Sequence, residues 1–166
     1  DGPAEERRLE TLRIGDIVME EEEDWLIVET LTYQEENDTW WVHTLDDGKF
    51  TRLLEVRKIS QWTATLLKPV EDLPVFGDFL DGITYRHMHY DMQRRGDARI
   101  RSGRSPKEPA RMIQYALYVG TDGSSLNIED WPSNKRVFLG EVISEHRLSF
   151  FPGKAPEPNL LSDLSL

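Results

Sequence analysis

The chain contains no cysteine. Disulfides, thiolate-bound zinc, iron–sulfur clusters and thiol catalysis are therefore excluded. No apolar run approaches the ~20 residues that a membrane-spanning helix needs, and no secretory hydrophobic segment is visible. There is no Gly-rich phosphate loop, nucleophile elbow, His-Glu-x-x-His pair or zinc-ribbon spacing. The reading leans away from an enzyme, and no cofactor is implied. A chain without disulfides suits the cytoplasm, which is the expected location. Positive charge is also in short supply. Twenty Lys and Arg stand against 31 Asp and Glu, a net charge of −11. That balance argues against binding nucleic acid or an anionic membrane through the whole surface.

What is present is β-forming sequence. At 166 residues with 38% hydrophobic and 10% aromatic content, the chain can bury one core. Short runs rich in Val, Ile, Thr, Tyr and Trp recur between turn signals, so the expected class is all-β. The architecture expected is two antiparallel meander halves packed as small barrels or a sandwich. Residues 1–11, with Leu9 and Leu12 three apart, predict a short N-terminal helical extension. Residues 12–151 form the β-rich domain. Its halves are 12–67 and 83–151, joined by a linker at 68–82 that holds Pro69, Pro74, Gly77 and Gly82. Residues 152–166, rich in Pro and Ser, are expected to be a flexible tail.

The acidic block Glu20 to Asp24 predicts a solvated hairpin tip. Adjacent Trp40 and Trp41 on one strand must point to opposite faces, so one enters a core and the other needs a different cover. Asp47-Gly48 and Asp122-Gly123 each predict a hairpin turn, one in each half. Ile83 to Met92 reads as one strand, and Arg94-Arg95-Gly96-Asp97 as a turn. The adhesion-like Arg-Gly-Asp at 95–97 is explained by that turn.

Three constellations carry chemistry. His87, His89 and Asp91 alternate, and on a strand they would share a face, which is a geometry that metals use. His43 or His146 would have to complete such a site; the plainer reading is a polar outer face. Arg99, Arg101 and Arg104 sit in an Arg-rich span that contrasts with the acidic first fifty residues. They suit a phosphate or an acidic partner segment, unless they merely offset the protein's own acidic half. Glu55 and Glu129 each follow a hairpin, and would be an acid–base pair if they met in a cleft.

Several of these features together resemble a bacterial family, domain of unknown function 4178. They are Leu12-x-x-Gly15-Asp16-x-Val18, a strand ending at Tyr33, and Trp40 or Trp41 with Leu45. Gly96 to Ile100, Tyr115 to Tyr118, Leu126-x-Ile128-Glu129, Trp131 and Gly140 complete the set. The likeness spans Leu12 to Ile143. It implies a β-rich accessory module, sometimes encoded near membrane-associated and polyamine-related proteins. It implies no activity and no site residues.

The leading expectation is a noncatalytic β module that binds another protein, with a homodimer left open. Its expected anchors are Trp40, Trp41, Trp62 and Trp131, with Arg99, Arg101 and Arg104 steering an acidic partner. The alternative is a binder of a cationic, polyamine-like small molecule at an acidic mouth near Glu20 to Asp24. A metal-dependent enzyme built on His87, His89 and Asp91 ranks third.

Overall fold

The computed structural model describes residues 6–153. Eleven strands account for most of them: β1 (Ile17–Glu20), β2 (Glu23–Glu35), β3 (Asp38–Asp46), β4 (Thr51–Lys58), β5 (Trp62–Pro69), β6 (Gly82–Tyr85), β7 (Met88–Ser102), β8 (Arg111–Gly120), β9 (Ser125–Asp130), β10 (Lys135–Ile143) and β11 (Leu148–Phe151). Their order is β11-β1-β2-β3-β4-β5-β10-β9-β8-β7-β6, with β2 also paired to β7. That last pairing closes β2-β3-β4-β5-β10-β9-β8-β7 into one eight-stranded antiparallel barrel. The fold is all-β. Each half is a five-stranded meander, and the two halves close a single barrel between them. Closure removes the exposed edges that two separate meanders would keep.

Alternation along the strands sorts side chains into an inside and two outer layers. The barrel interior holds Tyr33, Trp40, Val42, Leu67, Ala98, Ile100, Ile113, Tyr115 and Trp131. The outer face of the first half packs under the N-terminal segment and β11, through Leu9, Val18, Trp25, Leu54 and Leu148. The outer face of the second half is covered by residues 70–81, whose Val70, Leu73, Val75 and Phe79 lie on Tyr118 and Ile128. The segment read as a linker is thus an apolar cover.

Three local expectations are corrected. The expected N-terminal helix is, among the described residues, only a 3-10 turn at Leu9–Thr11. Leu9 and Leu12 do point the same way, but a single turn satisfies their spacing. The run Ile83–Met92 is not one strand. Arg86 and His87, at φ 48° and 67°, make a two-residue hairpin turn between β6 and β7. The Arg94–Asp97 turn is likewise absent, because β7 runs straight through it with a bulge between Met92 and Arg94. Gly96 is needed for space instead. A Cβ there would stand 1.9 Å from Glu35 Oε2. The expected tail falls on residues 152–166, of which 154–166 lie outside the described residues.

The acidic block is a hairpin tip. Glu21 and Glu22, at φ 47° and 69°, form the turn between β1 and β2. At the base of this layer, Asp16 gathers three segments. Its carboxylate lies 2.9 Å from Arg7 Nε and accepts the Arg13 and Gly153 amides at 3.0 Å each.

Candidate functional site

Among the described residues, a strip of outer wall with exposed side chains crosses the β8–β7–β2–β3 junction. On β7 the exposed Arg95, Asp97, Arg99 and Arg101 alternate with buried Ala98 and Ile100. Register carries the row across strands. Arg101 stands opposite Thr32, which stands opposite Trp41 on β3. Arg99 stands between Gln34 and the exposed Met112. Trp41 packs against Trp62 with ring centroids 5.9 Å apart, and both remain half-buried. A groove of about 640 Å³ runs beside Arg95, Arg99 and Met112, with the carboxylates of Glu35, Glu36 and Asp97 also in its lining. Arg104 lies in the adjoining loop, which Glu29 holds through Ser102 Oγ at 2.6 Å and the Arg104 amide at 2.9 Å.

Charge pairing separates two kinds of arginine. Arg52, Arg57, Arg86, Arg94 and Arg147 are each within salt-bridge distance of a carboxylate. Among the described residues, Arg99, Arg101 and Arg104 have no such partner.

The sequence-expected anchors divide between two places. Trp41 lies on the open strip with Arg99 and Arg101, whereas Trp62, on β5, packs against the covered outer layer of the first half and touches Trp41 from there. Trp40 and Trp131 are inside the barrel, 4% and 7% exposed. Trp40 stacks on Tyr33 at 5.4 Å, with the Arg57 guanidinium 4.1 Å above its ring. Trp131 carries Arg136 at 4.0 Å. The acidic tip is not lined by tryptophan: Trp25 is buried under Arg52, and Glu20 pairs with Arg52 and Arg147. His89 and Asp91 lie on β7 and touch at 2.9 Å, while His87 sits in the preceding turn. Among the described residues, no three His, Asp or Glu side chains are grouped as a metal site needs.

Inside the barrel the structure gathers residues that the sequence did not bring together. Glu55 and Glu129 occupy the fifth positions of β4 and β9, the fourth strands of their halves. Tyr33 donates its hydroxyl to Glu129 Oε2 at 2.9 Å, and Trp131 Nε1 donates to Oε1 at 2.9 Å. Burial raises the Glu129 carboxyl above its ordinary range against these two bonds, which favour the charged form. Burial also raises Glu55, helped by Glu129 and opposed by Arg57 and Arg94. Burial, then the charge of Glu129, pushes the Tyr33 phenol well up.

Side chains roof one end of this interior. Arg94 Nη2 reaches Glu35 at 2.8 Å and Asp38 at 3.2 Å; Arg57 reaches Asp38 at 2.6 Å. The Tyr115 hydroxyl donates to Glu35 at 2.7 Å, and burial with that bond pushes its pKa up to about 12. The lone sequence signal for this assembly was the matched placement of Glu55 and Glu129 after two Asp-Gly turns.

No helix among the described residues is long and apolar enough to cross a membrane. A family model, Domain of unknown function (DUF4178), matches residues 13–145. No curated protein and no solved structure matches the chain.

Proposed function

We propose that this chain, which belongs to the DUF4178 family, is a noncatalytic β-barrel module that binds an acidic segment of a protein partner across its open outer strip. The observation that carries this reading is that, among the described residues, Arg99, Arg101 and Arg104 have no carboxylate within salt-bridge distance, in a chain of net charge −11. In an acidic protein, arginines left without internal carboxylates are available to external ones, and Arg binds carboxylates through a rigid two-pronged fork. Trp41 and Met112 supply apolar area beside them, the mixture that dominates binding hot spots. The barrel wall presents this row on paired strands, so little is lost in ordering it.

A selection from a random displayed-peptide library tests the reading. Enriched peptides should be acidic and carry an aromatic or aliphatic residue. Their binding should fall at least about ten-fold in the Arg99→Glu/Arg101→Glu double variant, which loses two charge-assisted contacts. Peptides without acidic bias, or binding indifferent to the double variant, would remove the proposal.

A further inference from the structure

The acids of the β1–β2 hairpin divide as the arginines do. Glu20 pairs with Arg52 and Arg147, and Glu21 with Arg147. Glu22, Glu23 and Asp24 are exposed. Among the described residues, no Arg, Lys or His lies within salt-bridge distance of these three. One end of the chain's surface therefore presents carboxylates without cations, and the outer strip presents Arg99, Arg101 and Arg104 without carboxylates.

The hairpin is not acid alone. Val18, Trp25 and Phe150 turn into the first half's outer core. The alternate positions face the other way. There the register sets Ile17 between Leu26 and Phe151, and Met19 beside Asp24. Leu26 and Phe151 are each 44% exposed. Exposed acid followed by exposed apolar side chains is the chemistry that suits the strip, where the three arginines lie beside Trp41 and Met112. One chain does not bring the two surfaces together. Arg101 and Arg99 stand opposite Thr32 and Gln34, which lie eight and ten residues beyond Asp24 on the same strand. At ~3.3 Å per residue that is roughly 25 Å or more, beyond the reach of an Arg and an acidic side chain together.

We propose that the acidic segment received by the outer strip is the β1–β2 hairpin of a second copy of this chain, with Glu22 and Asp24 against Arg99 and Arg101, and Leu26 on the apolar side of the strip. This inference rests on the strip's being a binding surface, as proposed above, and names its occupant. The two copies contribute different surfaces to each contact. A reciprocal pair, with each hairpin on the other's strip, satisfies the geometry, and so does a head-to-tail row. The net charge of −11 opposes association in general, so the contact depends on local pairing of opposite signs and weakens as salt screens them.

Sedimentation equilibrium of the purified chain, from about 10 µM to about 1 mM, tests the inference. The average mass should rise with concentration at ~0.05 M salt and fall back toward one chain at ~0.5 M. Two charge-reversed proteins separate the surfaces: Arg99→Glu/Arg101→Glu spoils the strip, and Glu22→Lys/Asp24→Lys spoils the hairpin. All four positions are exposed, and melting curves check that each protein folds. Each variant alone should associate at least about ten-fold more weakly than the native chain. The hairpin variant is less negative than the native chain, so a mere easing of charge repulsion would strengthen its association instead. An equimolar mixture of the two variants should form a one-to-one pair, because the first keeps its hairpin and the second keeps its strip. A native chain that stays monomeric, a folded variant that associates like the native chain, or a mixture no more associated than its components would each overturn the inference. If the native chain is monomeric while acidic library peptides still bind the strip, the occupant is wrong and the binding reading stands. If neither the peptides nor a second copy binds, both fail.

Discussion

Tyr33 on β2 and Glu129, which lies 96 residues further along the chain on β9, share a 2.9 Å hydrogen bond through the inside of the barrel. The bond links β2 to β9, two strands that share no backbone ladder, since β2 pairs only with β1, β3 and β7. Tyr33→Phe leaves Glu129 enclosed with one donor fewer. A loss of about 1–3 kcal/mol is expected, from an unsatisfied buried acceptor. Urea denaturation measures it, and an unchanged midpoint would show that the two halves do not depend on this bond.

His43 sets an acid limit. Its ring is 2% exposed, is hydrogen-bonded to Thr30 Oγ at 2.8 Å, and is lowered by burial from 6.5 to about 4. The unfolded chain protonates this histidine below pH 6.5, and the folded one only near 4. Its contribution is therefore complete above pH 6.5 and declines as pH falls toward 4. The full loss is about 3 kcal/mol, at ~1.36 kcal/mol per pH unit. Glu55 and Glu129 act in the opposite sense. Their raised pKa values favour the folded state in acid and cost stability as pH rises through them. Urea midpoints at pH 7 and pH 4.5 should therefore differ more in the native sequence than in His43→Gln. An identical pH response in the two would refute the assignment.

Gly96→Ala should loosen the roofed end of the barrel. The new methyl displaces the Glu35 carboxylate from Arg94 and Tyr115, for an expected loss of about 1–3 kcal/mol. The Tyr115 phenol, freed of that bond, should titrate lower than in the native protein, which an ultraviolet pH titration reads. A variant with native stability and native tyrosine titration would mean that Glu35 moves freely.

The unpaired arginines give the opposite forecast. Arg99→Ala and Arg101→Ala should leave the melting curve within about 0.5 kcal/mol of the native protein, as surface changes without internal partners do. Arg57→Ala should cost more, because it strips the Asp38 contact and the cover of Trp40. If all three are equally harmful, Arg99 and Arg101 have structural duties that the unpaired geometry does not reveal.

The sequence made some of this legible and hid the rest for identifiable reasons. Period-two alternation placed Trp40 and Trp41 on opposite faces, and the structure seats one inside and sets the other against Trp62. The strands followed from β-branched and aromatic runs between turn signals. Arg86 and His87 gave little warning, because neither is the Gly, Asn or Asp that usually marks a hairpin turn of this kind. Gly96 misled for the converse reason. Beside Asp it looks like a turn, yet its lack of a side chain serves Glu35 on a distant strand. Glu55 and Glu129 were visible as matched positions, but their shared interior depends on β5–β10 and β2–β7 closure. Pairings over such separations leave no local trace.

The outer strip is tested most directly by nuclear magnetic resonance. An acidic peptide from the selection is titrated into labelled protein, and the shifted amides are mapped. The perturbed residues should cluster at Thr32, Gln34, Trp41, Arg99, Arg101 and Met112, and the shifts should fade in Arg99→Glu/Arg101→Glu protein. Shifts centred on the acidic β1–β2 tip or on the covered face under residues 70–81, and unaffected by the charge reversal, would contradict the proposed binding surface.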